Sequence, residues 1–307
     1  MTEAGRGVAA MIGACSIWGF IAVYYAALAH VPPLEVLAHR VVWSAVFFGL
    51  LLGVQGRLGT TAVLLVDARA WRLVALAAVT IGANWFLFIF AVQSGQVLQS
   101  SLGYYIFPLV AVGLGFVVLG ERFTRLQAGA IALAATAVAI LALGLGAAPW
   151  ISMALAGTFG LYGLAKNRLA VGPVASVFAE TALLVPLALV WLFALHAGLA
   201  ADPGGRAGAV FGGDPGTTLL LVLSGPLTGL PLVLFSYAAR RVAYATLGLI
   251  QYLNPTIQFG VAVLLFGEAF TGWHAVAFPL IWAALALYSY ETWRRERRAV
   301  AGGAPRA

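Results

Sequence analysis

Two ionisable side chains stand where a soluble protein would place neither. Arg40 lies seven residues after Pro33 and Glu180 lies seven after Pro173, each inside a long apolar run. At 1.5 Å of rise per residue, each charge sits about 10 Å in from the end of its run. Burying such a charge in hydrocarbon costs about 2.5–3.5 kcal/mol on insertion scales, so neither is expected to face lipid. Two kinds of chemistry fit. In one, Glu180 is a proton-coupling carboxylate while Arg40, with His39 beside it, anchors an anionic cargo. In the other, the three residues form a polar network that locks the second and seventh runs to their neighbours.

Aromatic and amide residues near the middle of other runs form a second group: Trp18, Asn84, Trp85, Tyr104, Tyr105, Tyr162, Tyr237, Gln251, Tyr252 and Asn254. Sites for amphipathic solutes combine apolar walls with a few polar handles, and these residue types supply both. Trp18, Asn84, Trp85, Tyr104, Tyr162, Gln251 and Tyr252 are the candidate lining of a solute cavity. Aromatics in such runs also serve as packing or interfacial belt residues. Pro108 and Pro255 fall near the middle of the fourth and ninth runs, where each removes a backbone hydrogen bond and bends its helix. They are candidate hinges, with a static bend as the alternative.

Enzymatic chemistry has little to work with. Ten acidic residues and four His are scattered without HExxH spacing, so no metal site and no cofactor are expected. Gly113-Leu114-Gly115 begins like a nucleotide-binding GxGxxG but Val118 stands where the last Gly belongs, and no GxSxG elbow occurs. Rings of charge and carbonyl filters, the usual parts of a channel, are also missing from the sequence.

The elements that must position these groups are membrane helices. Of 307 residues 63% are hydrophobic and only 9% charged, which is too apolar for an ordinary soluble domain. A helix needs about 20 apolar residues to cross the bilayer core. Ten runs qualify, near 8–28, 37–54, 73–92, 101–119, 127–144, 150–165, 174–195, 217–237, 245–266 and 273–290. They are continuous rather than alternating, which excludes a transmembrane β-barrel.

With a cytoplasmic N-terminus, every Lys and Arg falls on the inner side except Arg206, in an outer loop, and Arg40, inside a span. The positive-inside rule demands this asymmetry, and it places both termini in the cytoplasm of a multi-pass membrane protein. The net charge of +7 is then explained by basic span ends beside anionic lipid, and no nucleic acid partner is needed. The single Cys15 excludes an intrachain disulfide framework. The first run is longer than a signal-peptide core and is expected to be retained.

The chain also repeats itself. PLVAVGLGFVVLGERFT at 108–124 returns as PTIQFGVAVLLFGEAFT at 255–271. Ile17-Trp18-Gly19 matches Leu161-Tyr162-Gly163 at nearly the same offset. Each half holds five spans, and an odd count forces the second copy to enter the bilayer from the opposite face. Inverted repeats of this kind are the signature of secondary transporters, with the solute site near the midplane between the halves. Arg40 and Glu180 then approach from opposite faces, leaving roughly 10 Å between their depths in a core of about 30 Å. A direct salt bridge would require Arg40 to stretch toward the centre. Glu121 and Glu268, which follow Gly at the ends of the fourth and ninth spans, are expected to organise turns, with gating as the alternative.

Ile17-Trp18-Gly19, Glu35 with His39-Arg40-Val41 and Trp43-Ser44, Asn84-Trp85, Leu102-Gly103-Tyr104, Gly120-Glu121-Arg122-Phe123, Glu180-Thr181, Gln251-Tyr252 and Gly267-Glu268 together resemble the RarD-type branch, named for chloramphenicol sensitivity, of the EamA family in the drug/metabolite transporter superfamily. The resemblance covers nearly the whole chain. It implies an all-α integral membrane protein of ten transmembrane helices, built as two inverted five-helix repeats around a central cavity, with spans 1, 3, 4, 6, 8 and 9 as the main lining. The chain departs from the pattern at Phe107, where relatives often carry Asn; the comparable amide here is Asn254 in the other half. The expected units are a first repeat over 1–148, a second over 149–291 and a basic cytoplasmic tail over 292–307. The expected function is secondary transport of a small amphipathic metabolite or drug by alternating access, with proton coupling through Glu180 as one reading. A membrane-embedded enzyme or a pore without carrier activity is the alternative. Small-molecule cargo and membrane lipid are the expected partners, and oligomeric state is left open by the sequence.

Overall fold

A computed structural model describes residues 2–59, 61, 67–119, 124–144, 149–169, 171–202, 205–242, 247 and 250–301. Among them are ten α-helices: α1 (Glu3–Ala27), α2 (Pro33–Val54), α3 (Ala68–Gln93), α4 (Val97–Leu119), α5 (Arg125–Gly144), α6 (Trp150–Asn167), α7 (Pro173–His196), α8 (Pro215–Ala239), α9 (Leu253–Gly260) and α10 (Gly272–Ala301). Seven of these are long and apolar enough to cross a membrane; α6 and the described apolar stretches of α4 and α9 fall short of that standard. The ten expected spans correspond to the ten helices, apart from the ninth. Its first residues lie partly outside the described ones, and α9 begins only at Leu253 and passes into a π-helical turn over Val261–Leu265.

Local chemistry sets the ends. Thr2, Asp67 and Asp214 accept backbone N–H bonds from Gly5, Ala70 and Thr217 and so cap α1, α3 and α8. Pro33, Pro173 and Pro215 occupy first helical turns, where a missing N–H costs nothing. At the far ends of α3 and α7, Gly95 and Gly198 adopt φ of +67° and +68°. That lets the next residue reach back: Gln96 N–H to Ala91 O at 2.7 Å and Leu199 N–H to Ala194 O at 2.8 Å.

The polarity is inverted relative to a soluble fold. Leu50, Val54, Val190, Phe193 and Leu264 point outward and are at least two-thirds exposed, while Glu35, Arg40, Asn84, Ser101, Glu180 and Thr228 are buried. An apolar coat over a largely apolar core that also buries charged and amide groups is stable in lipid and would aggregate in water.

Helix α2 packs on α7 and α8, α6 on α3 and α4, α1 on α8 and α9, α5 on α10, and α4 on α9. Close approach is made by small residues. A Cβ on Gly103 of α4 would stand 2.9 Å from the Ser152 carbonyl oxygen of α6, and one on Gly225 of α8 would collide with the Trp43 backbone of α2. The glycines most visible in the sequence contribute less. Of Gly157, Gly160 and Gly163, only Gly160 has neighbours on its open side. The Ala ladder of α5 turns Ala130, Ala134 and Ala137 inward and leaves Ala128, Ala132 and Thr136 exposed.

Candidate functional site

The centre of the molecule is built around Arg40, 8% exposed on α2. Its Nε donates to Thr228 Oγ1 of α8 at 3.0 Å. Its guanidinium carbon lies 4.1 Å from the Trp85 ring centroid of α3 and 5.6 Å from that of Tyr25 on α1. Four helices therefore meet on one cation, and cation–π contact supplies part of the solvation that water cannot. Thr228 is itself fixed by donating to Ser224 O at 2.8 Å.

Beside it, Asn84 of α3 donates to Leu155 O and Thr158 Oγ1 of α6, both at 3.0 Å, and accepts from Tyr104 OH of α4 at 3.2 Å. Asn84, Trp85 and Tyr104 are thus brought together with Arg40. His39, on the adjacent face of α2, turns away and stacks on Phe211 of the α7–α8 loop with centroids 4.7 Å apart.

Glu180 is paired differently from the Arg40 bridge considered above. Its Oε1 accepts from Lys166 Nζ at 2.7 Å and from Ser176 Oγ at 2.6 Å, and its Oε2 from Tyr162 OH at 3.2 Å. Lys166 also donates to Ser176 and lies 5.2 Å from the Tyr162 centroid. All of these groups belong to α6 and α7. Counting charges at span ends assigns Lys166 to a cytoplasmic boundary and overlooks this inward reach. One signal was available: Lys166 is the only lysine in a chain that otherwise uses Arg for every basic residue.

Where α4 crosses α9, a third polar cluster forms. Gln258 donates to Asn254 Oδ1 at 3.0 Å and to Trp18 O at 3.4 Å, and accepts from Ser100 Oγ at 3.5 Å. Ser101 Oγ donates to Pro255 O at 2.9 Å. Tyr105 OH and Thr256 Oγ1 are 2.7 Å apart. Pro108 lies inside α4, as its sequence position suggests. Pro255 sits in the first turn of α9, where a one-residue break at Tyr252, itself with αR backbone, separates α9 from the helical Ile250 and Gln251. Prolines also lie inside α7 (Pro186), α8 (Pro226 and Pro231) and α10 (Pro279), so interior prolines are not confined to the repeated pair. Tyr252 packs against the main apolar cluster and Trp18 lies 6.4 Å from Phe235. Gln251 is half-buried, and Gln258 is the fully engaged amide. An Asn and a Gln four residues apart on one helix face are the sequence signal for that pair.

Two carboxylates fasten backbone. Glu35, fully buried at the start of α2, accepts from Ala209 N–H at 3.0 Å and Val210 N–H at 2.9 Å. It thereby straps the α7–α8 loop across the end of the bundle, with Ala209 held at φ +61°. Arg206 adds a bond to Gln93 Oε1 at 2.6 Å. Glu268 accepts from the Val97 and Leu98 N–H groups at 2.6 and 2.7 Å, capping α4 from just past the π-helical turn that follows α9. An anion at a helix N-terminus is favoured by the unpaired donors and the dipole. Burial pushes the Glu268 carboxyl above its ordinary range and the two N–H donors pull it part of the way back. Glu121, its counterpart in the first half, lies outside the described residues.

Comparison with known proteins gives consistent results. The EamA-like transporter family matches over residues 5–143. The chain is 41% identical to an uncharacterized transporter of Pseudomonas aeruginosa, covering 95% of this chain and 96% of that one. It is 42% identical to protein RarD of Streptomyces exfoliatus over 93% of this chain and 89% of that one. A solved crystal structure aligns with a TM-score of 0.57 at 18% identity, covering 92% of this chain and 96% of the other, and supports the fold alone.

Proposed function

The chain belongs to the RarD-type branch of the EamA-like transporter family, and from that premise we propose that it is a secondary carrier that moves a small amphipathic solute across the plasma membrane by alternating access. The observation that carries this reading is the Arg40 centre: a buried cation where helices of both halves meet, closed at each end by a separate polar latch. At one end Glu35 holds the α7–α8 loop. At the other Lys166 and Tyr162 hold Glu180. Polar groups this deep in a membrane protein line solute paths or proton relays more often than they serve packing. Opening one latch at a time would expose the centre to one side at a time.

The packing supports two antiparallel units over 1–148 and 149–291, followed by the 292–307 tail. Exchange α1–α5 with α6–α10, and the α1–α8 contact maps onto α6–α3, α1–α9 onto α6–α4 and α2–α8 onto α7–α3. The α2–α7, α4–α9 and α5–α10 contacts map onto themselves. A two-fold relation in the membrane plane produces such a set. In this arrangement both termini are cytoplasmic. Asn84, Trp85 and Tyr104 line the solute path around Arg40, and Trp18, Tyr162, Gln251 and Tyr252 flank it. Pro108 and Pro255 are the hinges. Protonation of Glu180, by releasing Lys166, is the coupling step.

Reconstituted protein tests the function directly. Saturable counterflow of a labelled solute supports a carrier, whereas unitary conductance steps would replace it with a pore. Uptake driven by a pH gradient that survives Glu180→Gln at normal stability would remove the coupling role. Reporter fusions placing the two tails on different sides would remove the antiparallel arrangement.

A further inference from the structure

Arg40 is a cation without a carboxylate. Among the described residues, no Asp or Glu lies within salt-bridge distance of it. The other carboxylates buried within α2 and α7 are already engaged, Glu35 by two backbone N–H groups and Glu180 by Lys166, Ser176 and Tyr162. What Arg40 has instead is two neutral hydroxyls, Thr228 and Tyr25, and the aromatic rings of Trp85 and Tyr25. Thr228 holds the guanidinium by Nε, Trp85 lies over it, and the Tyr25 hydroxyl adds a neutral hydrogen bond. The Nη edge, where a guanidinium binds an oxyanion with two parallel bonds, meets no acidic partner.

The surroundings complete the description. Tyr24 and Tyr25 touch edge to face at 4.8 Å, Tyr25 and Phe88 at 6.0 Å, and Phe88 lies 6.0 Å from Tyr104. The centre therefore offers one positive charge in an aromatic enclosure. A neutral solute entering it would leave the charge unpaired, and a cation would be repelled. Only an anion both completes the guanidinium's coordination and neutralises it at a depth where neutralisation matters most.

We propose that Arg40 is the docking point for a single carboxylate-type anionic group borne on an apolar body, so that the cargo of this carrier is a small organic monoanion. The proposal rests on the carrier reading for the word cargo, while the binding event can be measured without transport. Trp85 and Tyr25 keep the guanidinium oriented between cycles, and Thr228 fixes its Nε so that the Nη pair is presented to the solute.

The test uses the full-length protein in lipid nanodiscs and matched probes that differ only in head group: benzoate, phenylacetate and butyrate against their amides and the corresponding amines. Binding is read by thermal shift and by quenching of tryptophan fluorescence. At least one carboxylate is expected to bind saturably and about tenfold or more tighter than its amide, since charge-assisted bonds exceed neutral ones by about that factor. Its amine should not bind. Arg40→Gln should abolish the carboxylate preference, and Arg40→Lys, which keeps the charge but loses the fork, should reduce it. If Arg40→Gln does not fold, Arg40→Lys and Thr228→Val carry the test through the same preference. The proposal is overturned if no carboxylate binds more tightly than its amide, or if the preference persists unchanged in the variants that fold. Failure of the carrier reading looks different: Arg40-dependent anion binding with no counterflow in liposomes. Counterflow of amides or amines that is indifferent to Arg40→Gln would instead leave a carrier and remove the anion site.

Discussion

Arg40 and Glu180 occupy the same register in the two halves, seven residues after the proline that opens their helix, and the surrounding structure treats them in opposite ways. Glu180 is satisfied locally: its three donors all come from α6 and α7, and a full counter-charge lies 2.7 Å away. Arg40 is satisfied at long range, by α8, α3 and α1, and through contacts that leave its charge intact. A buried ion pair holds helices together and resists change, because separating it strands two charges. A cation cradled by aromatic faces keeps its full charge, so an anion can be added without first separating an ion pair. The contrast sets a locally paired Glu180 against Arg40, the group proposed above as the receptor.

The strongest way to break this contrast is to remove the fastening's counter-charge. Lys166→Met leaves Glu180 buried without its cation, and loss of one partner of a buried pair costs about 3–5 kcal/mol. Unfolding in detergent should show that loss, and Lys166→Met combined with Glu180→Gln should recover most of it by removing the stranded charge. If the double variant were no more stable than the single, the pair would not be the element that Glu180 serves.

Arg40→Gln should do the reverse. Counterflow of solute is expected to fall to background while the unfolding midpoint changes far less than in Lys166→Met, because no counter-charge is abandoned. A stability loss equal to that of Lys166→Met would place Arg40 among the fasteners and erase the contrast.

Smaller effects belong to the neutral network. Asn84→Leu removes the two donors that tie α3 to α6 and the acceptor of Tyr104. Net hydrogen-bond contributions of about 0.5–1.5 kcal/mol each set the scale, with the loss of the Tyr104 hydroxyl's acceptor adding to the cost. The measurement is the midpoint of thermal unfolding, and a shift below that of a surface substitution would show the network to be slack.

The sequence carried the membrane class, the ten helices and the polar residues of the centre, because apolar run length, proline and glycine punctuation and charge within a span are all local properties. Arg40, Asn84, Trp85 and Tyr104 could be named in advance for that reason. Their partners could not. Thr228 and Thr158 look like ordinary threonines of an apolar helix until α8 and α6 are placed against α2 and α3. Pro255 reads as a mid-span proline, but the exact place of the one-residue break, at Tyr252, is not legible from the proline alone. Lys166 was hidden by a rule that assigns charges at span ends to water, although a lysine stem is long enough to return its ammonium to the interior. Glu35 and Glu268 bind backbone N–H groups, and such contacts leave no trace in the identity of the residues they hold.

Glu268 gives the smallest and most specific test, since it sets a carboxylate outside the spans against a helix end within the bundle. Burial holds its pKa above the ordinary glutamate value while the Val97 and Leu98 N–H groups oppose the shift. A carboxyl whose pKa is higher folded than unfolded binds its proton more tightly in the native state. Its contribution is therefore present in full below the ordinary glutamate range and is lost as pH rises through the elevated folded value. Glu268→Gln cannot titrate. The difference in melting temperature between wild type and this variant should move against the wild type as pH rises just above the ordinary glutamate range, then level off. A difference that stays flat would mean that the α4 cap offsets the whole cost of burying the charge, making Glu268 a fastening of the Glu180 kind in which the ionised form is fully matched by its donors.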